Sequence, residues 1–130
     1  MSVGAWSYES TFISPNGIWT ASVVNANEIA MGAPTSGTLK LSTGFVFENC
    51  NPSFVWSDDS RFVAVPVWQS NRSQKLAIIK VENSKFIYYK KSFRVLELSS
   101  FIGGVVSGID SPIYKPEKFE LNLSEIINSI

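Results

Sequence analysis

Along the middle of the chain, apolar residues gather into four short runs, at 54–56, 62–68, 76–81 and 86–89, separated by polar stretches rich in Asp, Asn and Ser. Short runs with β-branched and aromatic residues between turn formers are strands, and four in succession predict one antiparallel four-stranded sheet. Asp58-Asp59-Ser60 and Glu82-Asn83-Ser84 are the expected hairpin corners, because short polar side chains hydrogen-bond their own backbone and stabilise a reversal. The run 62–68 places Phe62, Ala64, Pro66 and Trp68 on one alternating face and Val63, Val65 and Val67 on the other. A strand with one wet face would alternate apolar and polar, so this strand is expected to be covered on both sides, as when sheets stack. Pro66 has no N–H to donate and is expected at a bulge or facing an edge.

An earlier copy of the pattern exists. Ser14-Pro15-Asn16-Gly17-Ile18-Trp19-Thr20-Ala21-Ser22-Val23 returns, 43 residues on, as Ser57-Asp58-Asp59-Ser60-Arg61-Phe62-Val63-Ala64-Val65-Pro66. In the first copy, strands are expected at 8–14, 18–24, near 38–41 and at 45–47, with 31–37 as a loop. Beyond Lys91 the period weakens. Strands are expected at 93–98 and 119–123, with a bend at Gly103-Gly104 between them. Ser124 is the expected N-cap of a short helix over Ser124-Glu125-Ile126-Ile127.

Periods of roughly 40–45 residues belong to four-stranded propeller blades, and a closed propeller takes at least about four of them. This chain has room for three. The expected fold is therefore all-β: a partial (half) β-propeller of two to three antiparallel four-stranded blades, ending in a short helix. It is expected as a single domain over 1–130, with blade-like units at about 6–49 and 52–92 and an irregular third unit at 93–130. At the repeated turns the chain resembles β-propeller repeats of the Tricorn and prolyl-oligopeptidase type, whose blades carry a Ser-Pro-Asp-Gly-like turn before an aliphatic strand. Ser14-Pro15-Asn16-Gly17 is close to that pattern, whereas Ser57-Asp58-Asp59-Ser60 lacks its Pro and Gly.

Composition narrows the class. Of the 130 residues, 45% are hydrophobic, 13% aromatic and 17% charged, a balance that argues for a folded protein over a disordered one. The N-terminus has no basic and apolar leader pattern, and 101–109 is far too short and glycine-containing for the ~20 residues of a membrane span. A cytoplasmic protein away from membranes is expected, and a single cysteine, Cys50, fits a reducing compartment. Asn71-Arg72-Ser73 matches a glycosylation sequon that such a location leaves unused. Net charge is zero, yet 1–60 and 95–130 are acidic while 61–94 is basic. Segregation of this kind steers charged partners, or reflects solvated strand faces.

Candidate chemistry is sparse. With no histidine, the commonest general base and metal ligand are missing. Cys50 has no neighbour in sequence that would activate it, and Asp58 and Asp59, adjacent on an extended backbone, diverge and serve better as turn formers than as ligands. No enzyme activity, cofactor or metal is expected. Lys85, Lys90 and Lys91 flank Phe86-Ile87-Tyr88-Tyr89, a mixture met in single-strand nucleic-acid binders. An edge strand guarded by lysines explains it equally, and no direct nucleic-acid partner is expected.

A catalytically bare, open blade array is most economically a protein that binds another protein. In size, composition and partial-propeller organisation the chain resembles immunity proteins of contact-dependent growth inhibition, particularly the partner of a ribonuclease A-like toxin. That resemblance implies one-to-one capture of a cognate toxin nuclease domain with its active site covered. A phosphate-binding cleft is basic, so the acidic flanks would supply complementary charge. The candidate contacts are Glu9, Glu28, Asp58 and Asp59 from the first flank and Glu97, Asp110, Glu117 and Glu120 from the second. Trp68, with Trp6, Tyr8 and Tyr114, is a candidate aromatic anchor, while Trp19 and Trp56 fit a core role. Two rivals stay open: a homodimeric propeller-like ring holding a ligand or glycan, and a hydrolase built on a carboxylate pair.

Overall fold

The computed structural model describes residues 1–126. Three successive groups of antiparallel strands make up the protein. The first holds β1 (Ser10–Ile13), β2 (Thr20–Glu28), β3 (Thr35–Leu41) and β4 (Val46–Cys50). The second holds β5 (Val55–Trp56), β6 (Phe62–Trp68), β7 (Gln74–Lys80) and β8 (Lys85–Phe93), and the third β9 (Leu96–Ile102), β10 (Val105–Asp110) and β11 (Glu117–Asn122). The fold is all-β and antiparallel, one large curled sheet with a second small one, the arrangement of a partial propeller.

Why the sheets stack is visible in β6. Val63, Val65 and Val67 enter one apolar cluster with Ala21, Val23 and Leu39 of the first group. Phe62 and Ala64 enter a second cluster, with Leu96, Leu98 and Phe101 of the third. The central group is thus covered on both faces, and every residue of β6 except Trp68 is buried. At roughly 1.5–3 kcal/mol for each fully buried Val, Leu, Ile or Phe, the two seams hold the layers together. In the first group buried Ala21, Val23, Leu39 and Leu41 alternate with solvent-facing Ser22, Thr38 and Lys40, and Thr11, Ser22 and Lys40 lie in register across three strands.

Pro66 follows its expectation. It sits between the short β5 and the single Cys50↔Val67 bridge to β4, where that edge of β6 is unpaired, and its carbonyl accepts Asn51 N–H at 2.9 Å. The bridge also joins the first two groups into one continuous sheet, where separate blades were expected. Further corrections fall near the C-terminus. The third group has three strands, and β10 was hidden by the Gly-rich composition around it: Gly103-Gly104 is a hairpin turn with φ of 59° and 78°, opening straight into β10. The terminal helix is a single 3-10 turn over Leu123–Glu125, capped by Asn122, whose side chain accepts the Ser124 N–H. Ser124 is inside that turn instead of capping it, and Ile127 lies outside the described residues. In the first group the expected loop at 31–37 is shorter, because Thr35, Ser36 and Gly37 are already in β3.

Candidate partner-binding surface

The strands run between two unlike ends. At the turn end lie the reversals β1–β2, β5–β6 and β9–β10; at the loop end lie 29–34, 69–73 and 111–116 with the N-terminal segment. The turn end realises the sequence repeat atom for atom. Ser14 Oγ donates to Asn16 Oδ1 at 2.6 Å and accepts Trp19 N–H at 3.0 Å; Ser57 Oγ donates to Asp59 Oδ1 at 2.6 Å and accepts Phe62 N–H at 2.9 Å. Asn16 and Asp59 then each accept the N–H two residues on, both at 3.0 Å. Asn16 N–H also donates to Ser60 Oγ at 2.9 Å, and Asp58 ties the second turn to the third through Phe101 O and Gly103 N–H. Asp58 and Asp59, candidates for partner contact, are here turn-holding acceptors.

Six of the other candidates lie at or near the opposite end, and three of their carboxylates are used within the protein. Glu28, at the end of β2, accepts Tyr8 Oη–H at 2.7 Å and Gly32 N–H at 2.5 Å, which fixes the 29–34 loop. The tyrosine hydroxyl, then the Gly32 amide, hold the Glu28 carboxyl below its usual range, and the same bond to Glu28 raises the Tyr8 phenol. Glu97 accepts Ala5 N–H at 2.8 Å, anchoring the N-terminal segment, and Asp110 accepts the N–H groups of Arg94 and Val95. Glu9 and Glu117 are exposed beside this end, as Glu120 is farther along β11. Trp68, half-buried at the end of β6, donates to Thr35 O at 3.0 Å.

Beneath them sits Asn51, fully buried, whose side-chain amide donates to Ala5 O and Thr35 O at 2.8 and 2.9 Å. That hub presses the N-terminal segment against the loops, and Trp6 completes the joint by donating to Gly32 O at 3.1 Å. Above this scaffold the surface turns apolar. Met31 is fully exposed, Ile113 is 75% and Tyr114 79% exposed, and Tyr8 stands beside them at 55%. Two recesses share the Arg94–Val95 wall: a socket between Trp6 and Tyr114, and a groove of about 400 Å³ running past Trp68 to Arg72.

No protein-family model matches this chain, and no curated protein matches it. The surface is therefore read from its own chemistry. Aromatic residues, Met and Arg are the types enriched where proteins bind one another, and three loops from three successive strand groups deliver them to one place. Arg94 and Arg72, missed as candidates, are central to it. Arg94 was obscured by its place at a weakening of the period, and Arg72 by lying in a five-residue connection noticed only as a sequon.

Other candidates have structural roles. Phe86 and Tyr88 of β8 lie edge-on to Phe47 with ring centroids 4.7 and 6.3 Å away while staying 42% and 38% exposed, and Tyr89 meets Phe119 across the second seam. Trp56 is buried in the first seam and Trp19 packs partly against it. Cys50 is fully buried, and desolvation pushes its thiol up to about 12, which suppresses the thiolate that reactivity needs. Among the described residues no group of three or more Cys, Asp or Glu could hold a metal, and no helix is long and apolar enough to cross a membrane.

Proposed function

We propose that this chain is an immunity-type protein that binds a cognate toxin nuclease domain one-to-one in the cytoplasm and keeps substrate from its active site, using the loop end as the contact face. One observation carries the reading: Met31, Trp68, Ile113, Tyr114 and two arginines are gathered at a single end, on loops held from below by Asn51, Glu28 and Asp110. An exposed apolar surface of that composition on a preorganised frame is what a protein hot spot requires. Glu9 and Glu117, exposed beside it, supply negative charge toward a phosphate-binding cleft.

Ring closure by a second copy has less to offer. The outer face of the first group carries Thr11, Ser22, Thr38 and Lys40 beside Ile13 and Val46, and stacking another sheet there would desolvate those polar groups and the lysine for a small apolar gain. The test is co-expression with a toxin domain encoded beside this chain, followed by nuclease assay of the purified complex. A stoichiometric complex with silent nuclease is expected. Full nuclease activity in the presence of excess folded protein would overturn the reading.

A further inference from the structure

Charged side chains are scarce in the two recesses of the loop end. Arg94 lines both and Arg72 lines the groove; the other lining residues are apolar or neutral, among them Trp6, Trp68, Val95 and Tyr114. The Arg94 guanidinium lies over the Tyr114 ring, 5.2 Å from its centroid, an arrangement that fixes its plane while leaving its N–H fork to donate. Asp110, the nearest carboxylate in the hydrogen-bond network, is engaged with the backbone N–H groups of Arg94 and Val95.

Arg72 is held there against its own backbone preference. Its φ is 63°, in the left-handed region. The other non-glycine residues with positive φ among the described residues are Asn25, Asn49, Ser60, Ser84 and Ser111, all short and polar. For a long side chain that conformation costs about 1–2 kcal/mol, which Gly would avoid. The turn is closed by Gln69 N–H to Ser73 O at 2.8 Å and by Asn71 Oδ1 accepting Ser73 N–H at 3.0 Å, and none of these bonds uses the Arg72 side chain. Fold stability gives no reason for an arginine at this position.

We infer that the loop-end recesses receive a protruding segment of a protein partner in which an Asp or Glu lies beside an aromatic or branched apolar side chain. The carboxylate is seated by Arg94 and Arg72, and the apolar neighbour enters the socket between Trp6 and Tyr114. Both arginines line one groove among apolar and neutral residues, and the guanidinium fork binds carboxylate well because it is matched in geometry and weakly hydrated. This deepens the partner-binding reading and rests on it only in taking the occupant to be protein. It reverses the expected polarity at this spot, where the partner, and not this chain, contributes the acid.

The test is selection of random dodecapeptides displayed on phage against the full chain, with Arg94→Glu and Arg94→Lys panned in parallel and their folding checked by thermal unfolding. Enriched peptides are expected to carry Asp or Glu next to Trp, Phe, Tyr, Leu or Ile. They should bind Arg94→Glu about tenfold or more weakly, with partial recovery in Arg94→Lys. Peptides without an acid, binding unaffected by Arg94→Glu, or no enrichment would overturn the inference. So would Arg94-dependent binding of polygalacturonate in place of peptide, which would assign the recess to acidic glycans. Nuclease silencing by the Arg94→Glu protein separates the two claims: inhibition retained at full affinity sinks this inference and leaves the immunity reading standing, whereas acidic peptides selected by a chain that silences no nuclease do the reverse.

Discussion

The two ends of the strand stack are made of similar raw material, short reversals between antiparallel strands, yet they differ in what their side chains do. At the turn end Ser14, Asn16, Ser57, Asp58 and Asp59 hydrogen-bond within the reversals and from one reversal to the next, so polar groups are consumed in holding structure. At the loop end the polar groups also work inward, through Glu28, Asn51, Glu97 and Asp110, but apolar residues and arginines are left facing out. Exposed apolar residues occur at both ends, Ile13, Ile18 and Ile102 at the turn end among them, so what distinguishes the loop end is their company with aromatic rings and arginines around two recesses. On the proposed reading, that composition is the surface kept for a partner.

The largest separation of the two ends should come from the turns. In the Ser14→Ala/Ser57→Ala protein each reversal loses a hydroxyl that both donates and accepts, one of them to a carboxylate, and we expect a loss of about 3 kcal/mol in urea unfolding. Binding of the selected peptides or of a toxin domain should be unchanged in protein that remains folded. At the loop end the effect should invert: Arg94→Glu should leave unfolding within about 0.5 kcal/mol of the parent, while partner affinity falls about tenfold or more.

Much of this architecture was legible beforehand, for a physical reason. The Ser14 and Ser57 turns are local, closed by bonds spanning two to five residues, so their chemistry is written in contiguous sequence, and the two-faced apolar run of β6 announced a middle layer. The candidate surface was legible only in part. Trp6, Tyr8, Trp68 and Tyr114 were singled out as aromatics and all lie at the loop end. The acidic candidates divide between opposite ends, because the partners that employ them are remote: Glu97 meets Ala5 across 92 positions and Asp58 meets Gly103 across 45. No window of sequence reveals which carboxylates are already occupied.

A smaller effect should sharpen the contrast at Arg72. Replacing it by Gly relieves the left-handed conformation, so Arg72→Gly should be more stable by about 1 kcal/mol in urea unfolding and should bind partner a few-fold more weakly. An arginine that lowers stability and raises affinity is the trade expected of a functional position.

The smallest effect concerns pH. Glu28 has its carboxyl lowered by Tyr8 and Gly32, so its contribution to the 29–34 loop is complete above the ordinary carboxylate range and is lost as pH falls through its own, lower value. Tyr8 is raised, so its share persists below the ordinary phenol value and disappears as pH climbs through the higher one. The Gly32 amide resonance should therefore move toward a disordered position at both extremes, while Gly17, bonded to Ser14 O, stays put. Tyr8→Phe should abolish the alkaline change and leave the acidic one. A Gly32 amide indifferent to pH would remove Glu28 as the loop's anchor.

The most direct test of the central claim is hydrogen exchange of the full chain, alone and with a toxin domain encoded beside it. Partner binding should slow exchange at 29–34, 69–73 and 111–116 and leave 14–17 and 57–60 as they are. Protection appearing at the turns, with the loops unchanged, would place the binding face at the wrong end and contradict the account.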